Sequence, residues 1–174
     1  PLAELAQFSR VNEQLEYRKQ HVYSTLQKEN IPLDFDVIIA RGGLLKPTPG
    51  GVYRITERIK SDLWNASMEH VSNLAALIAD DIAQRIGCPS FIADPVVTDE
   101  LQDVARLTGI PEIPRISIFH ALNSRAVSRR YAARIQKRYE DLNIIVVHLG
   151  GGISVSAHHY GRVIDVNNAL NGEG

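Results

Sequence analysis

Three consecutive glycines, Gly150-Gly151-Gly152, stand between a β-branched run, Ile144-Ile145-Val146-Val147, and a segment that alternates at period two, Ile153-Ser154-Val155-Ser156-Ala157. That order predicts two paired strands joined by a tight tip of bare backbone. Tyr160-Gly161 is a turn signal, and Val163-Ile164-Asp165-Val166 reads as a further strand, so the chain closes on a β-meander. Upstream the pattern differs. Helical stripes alternate with short apolar runs, which makes the chain α/β. A domain start is expected near Asn143, dividing residues 1–142 from 143–174.

The upstream elements follow from composition and punctuation. From about Leu5 to Asn30 the chain is rich in Glu, Gln, Lys, Arg and Leu, predicting one long helix that Pro32 ends. Val37-Ile38-Ile39-Ala40 has the continuous apolar character of a buried strand, broken by Arg41-Gly42-Gly43 and a loop containing Pro47, Pro49, Gly50 and Gly51. A second helix spans about Ser72 to Ile86, with Leu74, Leu77, Ile78, Ile82 and Ile86 as its apolar face and Gly87 as its stop. Ser90 to Ala93 is a short strand ending at Asp94-Pro95. A short helix is expected over Asp99 to Leu107 and an extended segment over Arg115 to Phe119. Asn123 is placed to cap a helix running to about Tyr139.

Composition excludes several classes. The 174 residues carry 19 basic and 20 acidic side chains, without the basic excess of a nucleic-acid footprint. The single cysteine, Cys88, forbids an internal disulfide framework and reads as a small buried packer. No apolar run reaches the roughly 18 residues of a membrane span, and the first residues carry no signal sequence, so a cytoplasmic protein is expected. The first residue is Pro1 rather than Met, so the numbering is expected to start inside a longer chain.

Several positions suit chemistry, and each has a plainer reading beside it. The glycine tip lets a phosphate approach backbone N–H groups closely, but Gly-Gly is also common in ordinary hairpin turns. It is neither a Walker A loop nor a dinucleotide fingerprint. His120, between an extended segment and a helix, is placed to donate to a developing anion, or simply to pack in a loop. Arg41 has the guanidinium geometry for carboxylate or phosphate, and otherwise is a surface arginine. His70 precedes a helix start. Asp94 can hold a metal, orient a partner or cap the turn at Pro95. A zinc site is not expected: the histidines show no i, i+4 pair, and His158 and His159 must point to opposite faces of a strand.

In combination and order these segments resemble butyrate kinase, of the acetokinase family within the sugar kinase, heat-shock ATPase and actin superfamily. The matching stretches are Arg41-Gly42-Gly43-Leu44-Leu45 through Pro49-Gly50-Gly51-Val52-Tyr53, Glu69-His70-Val71-Ser72-Asn73-Leu74 and Ala93-Asp94-Pro95-Val96-Val97. They continue with Ser117-Ile118-Phe119-His120-Ala121-Leu122-Asn123, His148-Leu149-Gly150-Gly151-Gly152-Ile153-Ser154 and Gly161-Arg162-Val163-Ile164-Asp165-Val166-Asn167-Asn168-Ala169-Leu170. Acetate kinases carry Asn where Gly151 stands. The resemblance implies a ribonuclease H-like, actin-type ATPase fold, with most of the first domain and the first strands of the second. It implies a reversible transfer of the γ-phosphoryl of ATP to a short-chain carboxylate, assisted by Mg²⁺, in an enzyme that is typically a homo-oligomer.

The resemblance also implies roles. His120 corresponds to the histidine that hydrogen-bonds the transferring group, Asp94 to an aspartate near the magnesium, and His70 to a histidine lining the active site. Gly150, Gly151 and Gly152, with His148, correspond to the loop that cradles nucleotide phosphates. Arg41 stands a few residues from the position of the substrate-gripping arginine of acetate kinases. Leu44-Leu45 and Val96-Val97 fit an acyl pocket and a core equally well. The readings left open are an acetate or propionate kinase and a non-catalytic fragment for nucleotide binding or dimerisation. The family's opening Asn-Pro-Gly-Ser-Thr-Ser-type loop and its later arginine-bearing stretch have no counterpart in these 174 residues. The 174-residue chain assayed alone is therefore expected to form no acyl phosphate. Robust hydroxamate-detected turnover by it would overturn that expectation.

Overall fold

The computed structural model describes residues 2–167. Its elements are α1 (Leu2–Leu5), α2 (Leu15–Lys28), β1 (Ile38–Arg41), β2 (Val52–Arg54), α3 (Glu57–Trp64), α4 (Asn73–Ile86) and β3 (Ser90–Ala93). They continue with α5 (Ala121–Arg134), β4 (Asn143–Leu149), β5 (Ile153–His159) and β6 (Arg162–Val166). The chain packs as two compact units. The first takes residues up to 45 together with 52–93, and the second takes 46–51 and the chain from 94 onward.

The first unit is built on a three-stranded sheet in the order β1-β3-β2. β1 runs parallel to β3, from Ile38 opposite Ser90 to Arg41 opposite Ala93, while β2 is antiparallel to β3. Ile55, Leu63, Ala76, Ala79 and Ile92 form its core, with Ile38, Ala40, Leu45, Tyr53 and Ile59 packed against them. The buried stripe of α4 is Leu74, Ala76, Ala79, Ile82 and Ala83, and its alanines present no bulk to the sheet. Leu77, Ile78 and Ile86, expected on that face, are only partly buried. Gly87 closes α4 at φ 77°, where glycine has no Cβ to clash. Asp80 ties three elements together, accepting from Lys60 Nζ at 2.6 Å and from Ser90 Oγ at 2.9 Å.

The long N-terminal helix expected from composition is interrupted. Between α1 and α2 stands a 3-10 turn at Asn12–Gln14. The cause is local competition for backbone donors: Glu13 accepts from the N–H groups of Ser9 (3.0 Å) and Arg10 (3.2 Å), and Glu69 accepts from that of Val11 (3.0 Å).

The second unit holds an antiparallel sheet, β4-β5-β6. β4 and β5 pair from Asn143 opposite His159 to Leu149 opposite Ile153, leaving Gly150–Gly152 as the tip. A two-residue turn joins β5 to β6, with Tyr160 at φ 48° and Gly161 at φ 83°. Leu101, Ala105, Phe119, Ala121, Val163 and Val166 form the core. The expected helix at 99–107 is only a 3-10 turn, Asp103–Arg106, because Asp99 draws the Arg106 guanidinium back onto itself at 2.8 and 2.9 Å. Residues 115–119 join no strand, although the Phe119 N–H donates to Val96 O at 3.1 Å. α5 starts earlier and stops sooner than expected: His120 holds the cap position and Arg134 is its last residue. Cys88 is half-buried, and among the described residues no helix is long and apolar enough to cross a membrane.

A buried polar cluster completes this unit. Tyr139 Oη lies 2.6 Å from His158 Nδ1, and Ser156 Oγ lies 2.9 Å from His158 Nε2. Burial, and secondarily the positive charge of Arg125, push the His158 imidazole down to about 4. The folded state thus binds a proton less readily than the unfolded chain, so stability is fully present above pH 6.5 and is lost as pH falls toward 4. In urea titrations across that window, His158→Gln is expected to flatten the acid limb by on the order of 2 kcal/mol. An unchanged slope would show that His158 does not carry it.

Candidate functional site

Two short geometric rules assemble the histidine cluster of the second unit. His148 and Ser154 are direct cross-strand partners, so their side chains share one face of the β4–β5 hairpin. His120 and Asn123, at the start of α5, are three residues apart and share one face of the helix. The two pairs interlock. The rings of His120 and His148 stack with centroids 3.8 Å apart and planes within 5° of parallel. His120 Nδ1 lies 2.9 Å from the buried Ser154 Oγ, and Asn123 Nδ2 lies 2.9 Å from His148 Nδ1. His148 Nε2 faces the glycine tip: a Cβ on Gly150 would stand 3.0 Å from it, whereas a Cβ on Gly151 would meet nothing within 4 Å. Within the tip the Gly150 N–H donates to Gly152 O at 3.2 Å. Imidazole nitrogens beside bare backbone suit an anion with several oxygens, such as a phosphate.

Asp94 is held by a different set of groups. It follows β3 with φ 35°, an uncommon conformation outside glycine. Its Oδ1 accepts from the Gly51 N–H at 2.9 Å and lies 3.2 Å from Arg125 Nε, while Oδ2 lies 3.4 Å from Arg129 Nη1. Arg125 and Arg129 reach it together because they are one helical turn apart on α5. The buried Arg125 also pairs with Glu100 at 3.0 Å, and a Cβ on Gly50 would stand 2.6 Å from its Cζ. With both carboxylate oxygens so engaged, Asp94 is poorly suited to direct metal ligation. Among the described residues no group of three or more His, Cys, Asp or Glu can hold a metal ion.

Arg41 and His70 lie in the first unit. Arg41 is the exposed last residue of β1. His70 Nδ1 accepts from the Ser72 N–H at 3.2 Å and lies 2.6 Å from Ser72 Oγ. Burial, then the charge of Arg41, lowers the proton affinity of His70. Next to them Gly43 packs on Asn73, whose Cα is 2.7 Å from where a Cβ would sit, and Asn73 Oδ1 accepts from the Leu44 N–H at 2.8 Å. Leu45 packs against the first core and Val97 is 6% exposed, so both serve packing.

Sequence reasoning missed Ser154, Arg125, Arg129 and Glu100, and it read Asn123 as a helix cap. Only the i, i+4 spacing of the arginines and the period-two alternation around Ser154 were visible beforehand, and polarity would have turned Ser154 outward. Asn168-Ala169-Leu170, in the last matching stretch, lie outside the described residues.

The fold has counterparts among solved proteins. Acetate kinase from Porphyromonas gingivalis superposes with a TM-score of 0.67 at 18% identity, covering 86% of this chain and 41% of that one. Acetate kinase from Entamoeba histolytica gives 0.64 at 15% identity, covering 92% and 42%. The fold is therefore the actin-type ATPase fold of these kinases. Residues 113–171 match the model of the acetokinase family. A probable butyrate kinase of Phocaeicola vulgatus is 71% identical over 98% of this chain and 48% of its own length, and butyrate kinase 2 of Clostridium acetobutylicum is 51% identical over 98% and 49%. The resemblance to the butyrate kinases of the acetokinase family thus runs through nearly all of this chain, which spans about half the length of the curated relatives it matches.

The tip geometry separates its glycines. Gly150→Ala is expected to displace the His148 ring and shift its NMR resonances, while Gly151→Ala leaves them in place. Both should keep the urea midpoint within about 0.5 kcal/mol of the parent. Equal effects of the two substitutions on His148 would contradict the described approach.

Proposed function

We propose that the whole protein carrying this chain is an acyl kinase, transferring the γ-phosphoryl group of ATP to a short-chain carboxylate to give an acyl phosphate and ADP, reversibly. The observation that carries this reading is the stacked His120–His148 pair beside the bare Gly150–Gly152 tip. The curated relatives named butyrate kinase support butyrate as acceptor, and a branched short acid is the variant kept beside it. In this reading residues 1–142 belong to the acyl-substrate side, and the sheet that starts at Asn143 opens the nucleotide-binding domain.

The physical difficulty of the reaction is that two anions must meet while charge spreads over the equatorial oxygens of the transferring group. His120 donates to that group, its ring fixed by Ser154 and by the stacked His148. Gly150, Gly151, Gly152 and His148 receive the nucleotide phosphates. Arg41 and His70 serve the carboxylate side, where a neutral His70 donates without competing with Arg41 for charge. A bound Mg²⁺, with Asp94 near it rather than ligating it directly, would supply compensation for the charge of the nucleotide phosphates. Asp94, tied to Arg125 and Arg129, acts on that centre only indirectly. The enzyme is read as a cytoplasmic homo-oligomer with neither a nucleic-acid nor a membrane partner.

Acetate or propionate as acceptor is the second reading, favoured by the names of the structural neighbours. In the whole protein, rates on acids of increasing chain length should peak at four carbons or a branched equivalent, and a peak at two or three would transfer the assignment. His120→Ala is expected to lower kcat by about a hundred- to a thousandfold. Wild-type kcat in that variant would remove His120 from the chemistry, and absence of any acyl phosphate with the parent protein would leave a non-catalytic role.

A further inference from the structure

We propose that Asn123 is a positioning residue of the phosphate site: its amide holds His148 in the Nε2–H tautomer, so that the ring offers a donor to an anionic phosphate oxygen at the glycine tip. The chemistry of the contact decides the tautomer. An amide nitrogen can only donate, so His148 Nδ1, 2.9 Å from Asn123 Nδ2, must present its lone pair. The neutral ring then carries its proton on Nε2, the nitrogen that a Gly150 Cβ would approach to 3.0 Å. A ring of the opposite tautomer would turn a lone pair toward the tip and repel a phosphate oxygen.

Position supports the same role. Asn123 lies on the first turn of α5, three residues after His120, and its own side chain is exposed, so it contributes nothing to the core. One helical turn thereby supplies one ring of the stacked pair and the group that orients the other. His120 is oriented separately, by Ser154 Oγ at its Nδ1. A hydroxyl can donate or accept, so Ser154 leaves the His120 tautomer open where Asn123 closes that of His148.

The identity of the anion rests on the phosphoryl-transfer reading above, while the tautomer rests on the Asn123 amide turning its nitrogen toward His148. Imidazole ¹⁵N spectra of the protein carrying this sequence should show neutral His148 protonated at Nε2. Asn123→Asp, which replaces the donor by an acceptor, should move that proton to Nδ1. Asn123→Leu, of similar volume and without charge, should let both forms populate and raise the Kd for ADP by roughly ten- to a hundredfold with an unchanged urea midpoint. A wild-type ring protonated at Nδ1, or an Asn123→Leu protein that binds ADP like the parent, would overturn the inference. If the spectra and the ADP affinities follow expectation but no carboxylic acid is phosphorylated, the acyl kinase reading fails and the role of Asn123 at a phosphate site stands.

Discussion

A buried guanidinium organises the second unit. Arg125 has a side chain only 7% exposed and is compensated by two carboxylates, Asp94 at 3.2 Å and Glu100 at 3.0 Å. Such a cation is tolerated inside a protein only with partners of this kind, and removing one would leave a charge without compensation. Glu100 carries the constraint further, accepting from the backbone N–H groups of Gly50 at 3.0 Å and Val163 at 2.8 Å. A loop, a helix and a β-strand are thereby tied to a single ion pair. α5, which bears Arg125, also carries His120 at its cap and Asn123 on its first turn, so the ion pair fixes the helix that presents the histidine cluster.

The glycine tip and its two strands were fully legible in the sequence, because three glycines between β-branched residues leave few alternatives. So was the end of the apolar run at Asp94, whereas at His120 the preceding segment forms no strand and the helix begins earlier than the Asn123 cap signal suggests. The long N-terminal helix was misread for a physical reason. Propensity favoured it throughout, but Glu13 and Glu69 take the backbone donors of Ser9, Arg10 and Val11 for themselves, and side-chain competition of that kind is not encoded in propensity. The short helix expected after Asp99 failed likewise, since a salt bridge within the segment set its geometry.

The partners within the candidate site were illegible for a different reason. Ser154 is one of several serines, and Asn123 stands where a cap is common. Their roles depend on a strand register and a helix phase that meet only in three dimensions. The direct pairing of His148 with Ser154, and the three-residue spacing of His120 and Asn123, acquire meaning only once the hairpin and the helix are brought face to face.

β5 also has an inverted polarity. Its inward residues are Ser154, Ser156 and His158, and its outward ones include Ile153 and Val155, exposed at 56% and 40%. Hydrophobicity alone would rather seat the strand the other way round. A slip of one position along β4 would bring the isoleucine and valine inward and expel the serines, leaving His120 without its hydroxyl neighbour and His158 without both of its companions. The correct alignment is therefore held against the ordinary pull of apolar burial, by the length of the glycine tip and by the polar contacts waiting inside. Faithful strand alignment in this hairpin is itself a functional property, and a chain that folded to the apolar optimum would keep its sheet and lose its chemistry.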